Sequence, residues 1–263
     1  MLDFNLVRGL VILVVFTVMT FFFIFMGIKI SRSTSYSISN KFFLAGTFFL
    51  YALGASINIY YYISANLLAT LHNEGILLTL YSIVITILFS ICAFYIIFQH
   101  SNRNVKFKPK YRYLAVSIFI ACIFPLNLFM GFNFMDFNAS TDWAPFYRPE
   151  YAIYFGVVLL ILISLEIREA YKIYNYLKAY VKQTSAIFWK RFNIGILGIP
   201  SIMFVLPFSL TTLNPLVRDI GSIAFVFIFL FAVLIYSGLV GKGKKNVFSY
   251  IKSLIMRKFF IKD

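Results

Sequence analysis

The chain has 263 residues, of which 61% are hydrophobic, 20% aromatic and only 13% charged. Soluble domains carry about 25% charged residues, so this composition indicates an integral membrane protein. It excludes a soluble enzyme, a nucleic-acid-binding domain and a secreted disulfide scaffold, because each needs a wetted polar surface or a cysteine framework, and the chain has two cysteines. The formal net charge of +15 must therefore be explained within a membrane protein.

Seven apolar runs are long enough to cross about 30 Å of hydrocarbon. In chain order they cover residues 9–28, 42–62, 76–98, 113–132, 151–167, 192–213 and 220–240. The predicted fold is an all-α membrane protein in which residues 1–241 form a seven-transmembrane-helix bundle. Residues 242–263 are predicted to form a cytoplasmic, basic, amphipathic helix that lies on the membrane surface.

Nearly all basic residues fall on one side of this bundle. Of the 24 Lys and Arg residues, 21 lie in the first, third and fifth loops and in the tail. The N-terminus and the other loops hold only Arg8, Arg148 and Arg218, together with six acidic residues. By the positive-inside rule the N-terminus faces outside and the C-terminus faces the cytoplasm. The predicted location is the cell membrane, with the basic side on the anionic inner leaflet.

The seven runs show no ionisable side chain in their hydrophobic centres, and Glu166 falls at the inner end of the fifth run. Proton relays, ion-coupled carriers and voltage sensors depend on buried ionisable groups. A pump or an ion-coupled transporter is therefore disfavoured.

Cofactor and catalytic motifs are not found in the sequence. The seventh run has no Lys that could form a retinal Schiff base, and His72 and His100 fall at opposite membrane faces, so they could not share a haem iron. The sequence has no phosphate-binding loop, metalloprotease motif or nucleophile elbow. We therefore expect no enzymatic activity, no cofactor and no nucleic-acid partner.

The sixth run contains four residues that can bend or tighten a helix. Pro200 and Pro207 each remove a backbone donor, and Gly195 and Gly198 allow close helix approach, so this helix is predicted to act as a hinge. In the alternative interpretation these residues only shape helix packing, as they often do in membrane proteins.

Polar and aromatic residues mark the outer ends of the helices. The candidate ligand rim combines residues of the second run with residues of the outer loop 132–150: Asn58, Tyr61, Trp143, Phe146 and Tyr147. This rim could hold an apolar or lipid-like ligand. The alternative is an interfacial aromatic belt without a ligand.

On the cytoplasmic side, helix five is predicted to continue through residues 166–190 as an amphipathic helix. Basic residues of this segment and of the tail are the candidate contacts for a cytoplasmic partner or for lipid: Lys172, Lys178, Lys182, Lys190, Arg191, Lys252, Arg257 and Lys258. The alternative for both segments is a helix that rests on the membrane without a protein partner.

The pattern resembles the seven-helix sensor region at the N-terminus of some prokaryotic histidine kinases. The similar features are a short outer N-terminus, a basic third loop followed by a helix with Phe124 and Pro125 at mid-span, and a basic pair before helix six. The closest stretch is Lys190–Pro200, which reads KRFNIGILGIP. The resemblance implies ligand or lipid sensing within the membrane, but the phosphoacceptor and ATP-binding parts of such kinases do not follow helix seven. Signalling would therefore need a separate partner.

These observations favour a non-catalytic receptor-like or sensor-like module that signals through a cytoplasmic partner. Two alternatives stay open. One is a structural or accessory subunit of a larger membrane complex, and the other is a transporter of an uncharged solute or lipid, which would need no buried ion.

Overall fold

The computed structural model describes residues 4–34, 36–66, 74–103, 108–141, 144–180, 183–209 and 227–240. Within these residues the chain forms seven α-helices and one β-hairpin. The helices are α1 (Phe4–Ser31), α2 (Ile38–Asn66), α3 (Glu74–Arg103), α4 (Pro109–Phe134), α5 (Pro149–Tyr180), α6 (Gln183–Ser209) and α7 (Phe227–Val240). The hairpin strands are β1 (Met135–Thr141) and β2 (Ala144–Tyr147).

Helices α1 to α5 each contain a stretch that is long and apolar enough to cross a membrane. This confirms the predicted membrane character of the chain. Helix α6 has 27 residues and the described part of α7 has 14. The tail at 242–263 lies outside the described residues, and the count of seven crossings and the orientation stay predictions.

Six of the helices pack in a closed ring. Going round it, α1 packs on α2, α2 on α3, α3 on α5, α5 on α6, α6 on α7 and α7 on α1, while α4 packs outside the ring on α3 and α5. The larger apolar core fills the ring, and its members include Phe23, Phe48, Tyr95, Phe192 and Ile235. A second apolar core joins α3, α4 and α5. Helices α3, α4 and α5 contribute to both cores and so join them.

Glycines bring α6 and α7 into very close contact. A Cβ atom at Gly195 would lie 2.8 Å from the Ile235 backbone nitrogen, and one at Gly238 would lie 2.7 Å from the Phe192 backbone nitrogen. At Gly198 it would lie 2.2 Å from the Phe231 ring. Small residues allow helix backbones to approach each other in this way, which increases van der Waals contact.

The prediction of an all-α chain needs one correction. Between α4 and α5, β1 and β2 form an antiparallel pair in which Met135 faces Tyr147 and Asp136 faces Phe146. The Arg148 N–H donates to the Phe134 carbonyl at 2.9 Å and closes the base of the hairpin. The hairpin gives the backbone hydrogen-bond partners at the end of the bundle, where apolar surroundings make an unpaired amide costly.

The fifth apolar run is part of a much longer helix than its hydropathy suggested. Helix α5 has 32 residues and continues past Glu166 to Tyr180, which confirms the first part of the predicted continuation. Residues 183–190 of the predicted continuation belong to α6 instead. Its C-terminal half buries Ala170, Ile173 and Leu177, whereas the apolar side chains of Ile167 and Tyr171 are exposed. The buried face of this half packs against α6.

We predict that Gly195→Ala destabilises the protein by about 1–3 kcal/mol, the usual cost of an added methyl group in a packed core. The new methyl group would meet backbone atoms of α7, which cannot rotate away. Gly54→Ala is the matched control, because its Cβ would meet Ile87 at an ordinary 3.4 Å. Unfolding by SDS in mixed lipid–detergent micelles measures both variants, and equal stability of the two would contradict the tight α6–α7 contact.

Candidate functional site

Buried polar side chains from three helices lie close to one another inside the ring. They are Gln99 of α3, Glu166 and Glu169 of α5, and Asn193 of α6, and each is at most 5% exposed. Polar groups inside a membrane bundle are costly and mark functional sites more often than other positions do. We therefore take this polar centre, defined by these four residues, as the candidate site.

Asn193 connects α3 and α6 through its side chain, and the neighbouring Trp189 extends the connection to α5. Its Oδ1 accepts hydrogen bonds from the Tyr95 hydroxyl and from Gln99 Nε2, both at 2.8 Å. Its Nδ2 donates to the Trp189 carbonyl at 2.8 Å, and the Trp189 indole N–H donates to the Ala170 carbonyl at 3.3 Å. Helices α3, α5 and α6 are therefore joined at the polar centre.

A second polar contact crosses the ring from α2 to α6. Pro200 has no backbone N–H, so the Ile196 carbonyl one turn earlier loses its helical partner. The Tyr51 hydroxyl donates to this carbonyl at 3.1 Å. Membrane helices tolerate an internal proline when a neighbouring helix supplies the missing donor in this way.

Glu166 has no comparable partner. The residue is fully buried, and neither carboxyl oxygen meets a hydrogen-bond donor among the residues that the structure describes. The Cys92 thiol faces the carboxyl group, and Tyr51 and Tyr95 lie within its electrostatic range. Both tyrosine hydroxyls donate elsewhere, so only the thiol, which is a weak donor, remains for Glu166.

Glu169 lies one turn further along α5 and is neutralised by cations. Its Oε1 is 3.1 Å from Lys172 Nζ and 3.5 Å from Arg168 Nε, and its Oε2 is 3.8 Å from His100 Nδ1. Glu169 is only 3% exposed, but its partners are between one third and two thirds exposed. The polar centre therefore runs from an ion-paired carboxylate near the surface to an unpaired carboxyl group inside the ring.

We call the surface next to Glu169 the basic end of the bundle, where α1, α3 and α5 end and α2, α4 and α6 begin. The predicted contact residues Lys172, Lys178, Lys190 and Arg191 are exposed there. The predicted residues Lys182, Lys252, Arg257 and Lys258 lie outside the described residues or side chains.

Two features cover the ring at the basic end. The Arg112 guanidinium donates to Asn40 Oδ1 at 3.2 Å, and Asn40 Nδ2 donates to Asn102 Oδ1 at 2.8 Å. In the connection between α1 and α2, Tyr36 packs edge-on against Phe98, and burial raises the pKa of its hydroxyl well above the ordinary value. This end is therefore closed by packed aromatic and amide groups.

The sequence places Glu166 at the end of the fifth run, outside its hydrophobic centre, and the structure shows that this side chain is nevertheless buried inside the bundle. The sequence around Glu166 and Glu169 reads as the polar end of a membrane span, because basic residues follow at once. Helical spacing could have indicated the burial of Glu166, because Glu166 lies on the same face of α5 as Leu159 and Leu162. All three side chains are buried. The lack of a buried ionisable group therefore no longer counts against an ion-coupled protein.

The residues predicted to form a hinge in α6 lie in packed positions. Gly195, Gly198 and Pro200 are buried, and the two glycines face α7. Helix α6 continues through Pro200 and Pro207 as one element. These contacts explain the residues by packing, and the hinge stays a prediction.

The predicted outer rim is not brought together by contacts that the structure describes. Asn58 Nδ2 donates to the Gly54 carbonyl of its own helix at 2.8 Å. Tyr61 lies in α2, and Phe146 and Tyr147 lie in β2. Trp143 lies outside the described residues. A ligand at this rim stays a prediction.

A separate polar cluster joins α3, α4 and α5 outside the ring. Asn127 Oδ1 accepts from the Tyr154 hydroxyl at 2.7 Å, and Asn127 Nδ2 donates to Thr86 Oγ1 at 2.9 Å. Asn127 is fully buried and both ends of its amide are satisfied. This cluster stabilises helix packing and differs from the polar centre, in which acceptors lack donors.

In the described part of the chain, no group of three or more His, Cys, Asp or Glu side chains is placed to hold a metal ion. Comparisons of the sequence and fold with protein-family models, curated proteins and solved structures find no match.

We predict that Tyr51→Phe destabilises the fold by about 1 kcal/mol, within the range measured for hydrogen bonds between membrane helices. The change leaves the Ile196 carbonyl without its donor. Tyr60→Phe on the same helix is the matched control, because Tyr60 is exposed. SDS unfolding followed by circular dichroism measures both, and a Tyr51→Phe variant as stable as Tyr60→Phe would show that this hydrogen bond does not stabilise α6.

Proposed function

We propose that the chain is a non-catalytic, multi-pass sensor module of the cell membrane that signals by rearranging its helices around the polar centre. Its basic end faces the cytoplasm, in keeping with the positive-inside rule, and contacts a separate protein partner or the anionic leaflet. We further propose that α6 and α7 both cross the membrane, which gives seven crossings.

The observation that carries this proposal is the unpaired, fully buried Glu166 next to the Asn193 hydrogen bonds. An ion moved out of water without a partner costs several kcal/mol. A bundle that only fills space gains nothing from such a group, and apolar packing would be more stable. Buried groups that lack partners occur mainly where a protein responds to something.

Helix α5 gives the polar centre a direct connection to the basic end. The same continuous helix carries Glu166, Glu169 and the exposed Lys178. Helix α6 likewise carries Asn193 and, close by, the exposed Lys190 and Arg191. A change in packing at the polar centre therefore shifts the exposed cations of both helices, which is the kind of small helix displacement that membrane receptors use.

The resemblance to histidine-kinase sensor regions supports the same function. The similar stretch Lys190–Pro200 includes Asn193, which makes the hydrogen bonds of the polar centre, and Gly195, which contacts α7. We propose that this stretch is the part of the module that moves.

Proton-coupled transport is a second candidate, because Glu166 supplies the buried carboxyl group that such carriers need. A transport assay in proteoliposomes distinguishes these two candidates, since a carrier moves protons or solute across the vesicle membrane and a sensor does not.

Native mass analysis of complexes extracted into lipid particles distinguishes a structural subunit from a sensor. A structural subunit would be recovered with membrane partners in fixed ratio, whereas a sensor would be recovered alone or as a homo-oligomer.

We predict that Glu166→Gln changes the arrangement of the basic end. Spin labels on cysteines replacing Lys110 and Arg191 report the distance between α4 and α6, in a Cys122→Ala background in which the buried Cys92 does not react. In lipid nanodiscs the distance distribution should shift or broaden relative to the unsubstituted Glu166, because an amide can donate to neighbouring acceptors.

Glu150→Gln is the matched control, since Glu150 is an exposed residue in the first turn of the same helix. The control should keep the original distribution. Identical distributions in all three proteins would refute coupling between the polar centre and the basic end, and with it the proposed signalling.

A further inference from the structure

We propose that the Glu166 carboxyl group is a proton-binding site that exchanges with solvent at the basic end through Glu169 and His100. The inference goes beyond the sensor function, because a proton site can exist whether or not the chain signals. It makes the proton a ligand of the polar centre.

The chemistry of the unpaired atoms favours a proton over other ligands. Both oxygens of Glu166 and Oε1 of Gln99 are buried acceptors, and apart from the weak Cys92 thiol next to Glu166 they meet no donor among the described residues. Ca²⁺ and Mg²⁺ bind through sets of oxygen ligands and Zn²⁺ through sets of His, Cys and carboxylate ligands, and the described residues hold no group of three or more such side chains placed to bind a metal ion. A single proton removes the charge of Glu166 and supplies the missing donor on the carboxyl group itself.

The neighbours of Glu166 do not offer another way to compensate its charge. The titratable groups that face it are Tyr51 of α2 and Cys92 and Tyr95 of α3. Helix α6 contributes the uncharged Asn193, and the only titratable side chain in the described part of α7 is Tyr236, which is exposed. No cation lies among these neighbours within the described residues, so nothing there compensates a negative charge on Glu166.

Glu169 and His100 form a path from the surface to this group. His100 is one third exposed, and its Nδ1 lies 3.8 Å from Glu169 Oε2. A small side-chain adjustment or one water molecule shortens that gap to hydrogen-bond contact. Glu169 and Glu166 are three residues apart on the buried face of α5. Along α3, His100 is eight residues from Cys92, or about 12 Å at 1.5 Å per residue.

The transfer balances as two proton exchanges between acids and bases. The imidazolium N–H bond of His100 breaks while an O–H bond forms on Glu169, and the imidazole takes a new proton from solvent. The O–H bond of Glu169 then breaks while one forms on Glu166, which leaves Glu169 ionised and paired again with Lys172 and Arg168. The reverse sequence releases the proton.

Infrared spectroscopy of the full chain in lipid nanodiscs tests the site. A protonated carboxyl group has its own C=O stretching band, which shifts when the proton is exchanged for deuterium. We expect this band at neutral pH in the unsubstituted protein and in Glu150→Gln, and its loss in Glu166→Gln. Its absence from the folded unsubstituted protein, or its persistence in Glu166→Gln, would overturn the proton site.

If Glu166→Gln does not fold, Glu166→Asp provides the test. Aspartate should give the same C=O band at a shifted frequency, and an unshifted band would count against the assignment to residue 166.

The proton path is tested by the rate at which the C=O band shifts after transfer to deuterium oxide. His100→Gln should slow this exchange several-fold, whereas His100→Gln exchange at the original rate would overturn the path. The infrared result does not depend on the spin-label distances, so failure of the proton site and failure of the signalling function can be told apart.

Discussion

The arrangement of the ring depends on one side chain, Asn193, which accepts hydrogen bonds from Tyr95 and Gln99 of α3 and donates to its own helix. Between membrane helices there is no hydrophobic driving force, because lipid tails are as apolar as the side chains. Hydrogen bonds and close packing therefore decide which helices are neighbours. Asn193 supplies the hydrogen bonds between α3 and α6, and Gly195, two residues further along α6, supplies the close packing between α6 and α7.

The two buried polar clusters differ in how far their hydrogen-bonding groups are satisfied. Around Asn127, each donor meets an acceptor, and the cluster fixes α4 and α5 to α3. Around Glu166, acceptors outnumber donors, although α5 could have placed leucine there at no cost to packing. A hydrogen-bonded cluster has one best arrangement. A cluster that lacks a donor changes when a proton or another donor arrives.

The sequence was sufficient for much of the fold but not for the site. Hydropathy located the apolar helices, because the length of a span depends only on the thickness of the hydrocarbon, and the spacing after Glu166 predicted the continuation of α5. The hairpin was missed because its strands are short and lie between helices. Glu166 was misplaced because hydropathy averages over all faces of a helix, while burial depends on one face. The pairing of Tyr51 with the carbonyl freed by Pro200 joins residues 145 positions apart, and no local pattern encodes it.

The position of Pro200 bears on how the bundle can move. A proline weakens a helix by removing one hydrogen bond, but here Tyr51 of α2 replaces the lost donor. The weak point of α6 is therefore held by a contact that crosses the same interior in which Glu166 lies. A change in charge at Glu166 alters the field at the Tyr51 hydroxyl, since the two groups lie within electrostatic range. The carboxyl group inside the ring and the α6 backbone at the proline are thus connected through one hydroxyl group, which gives the proposed movement of α6 a physical route from the polar centre.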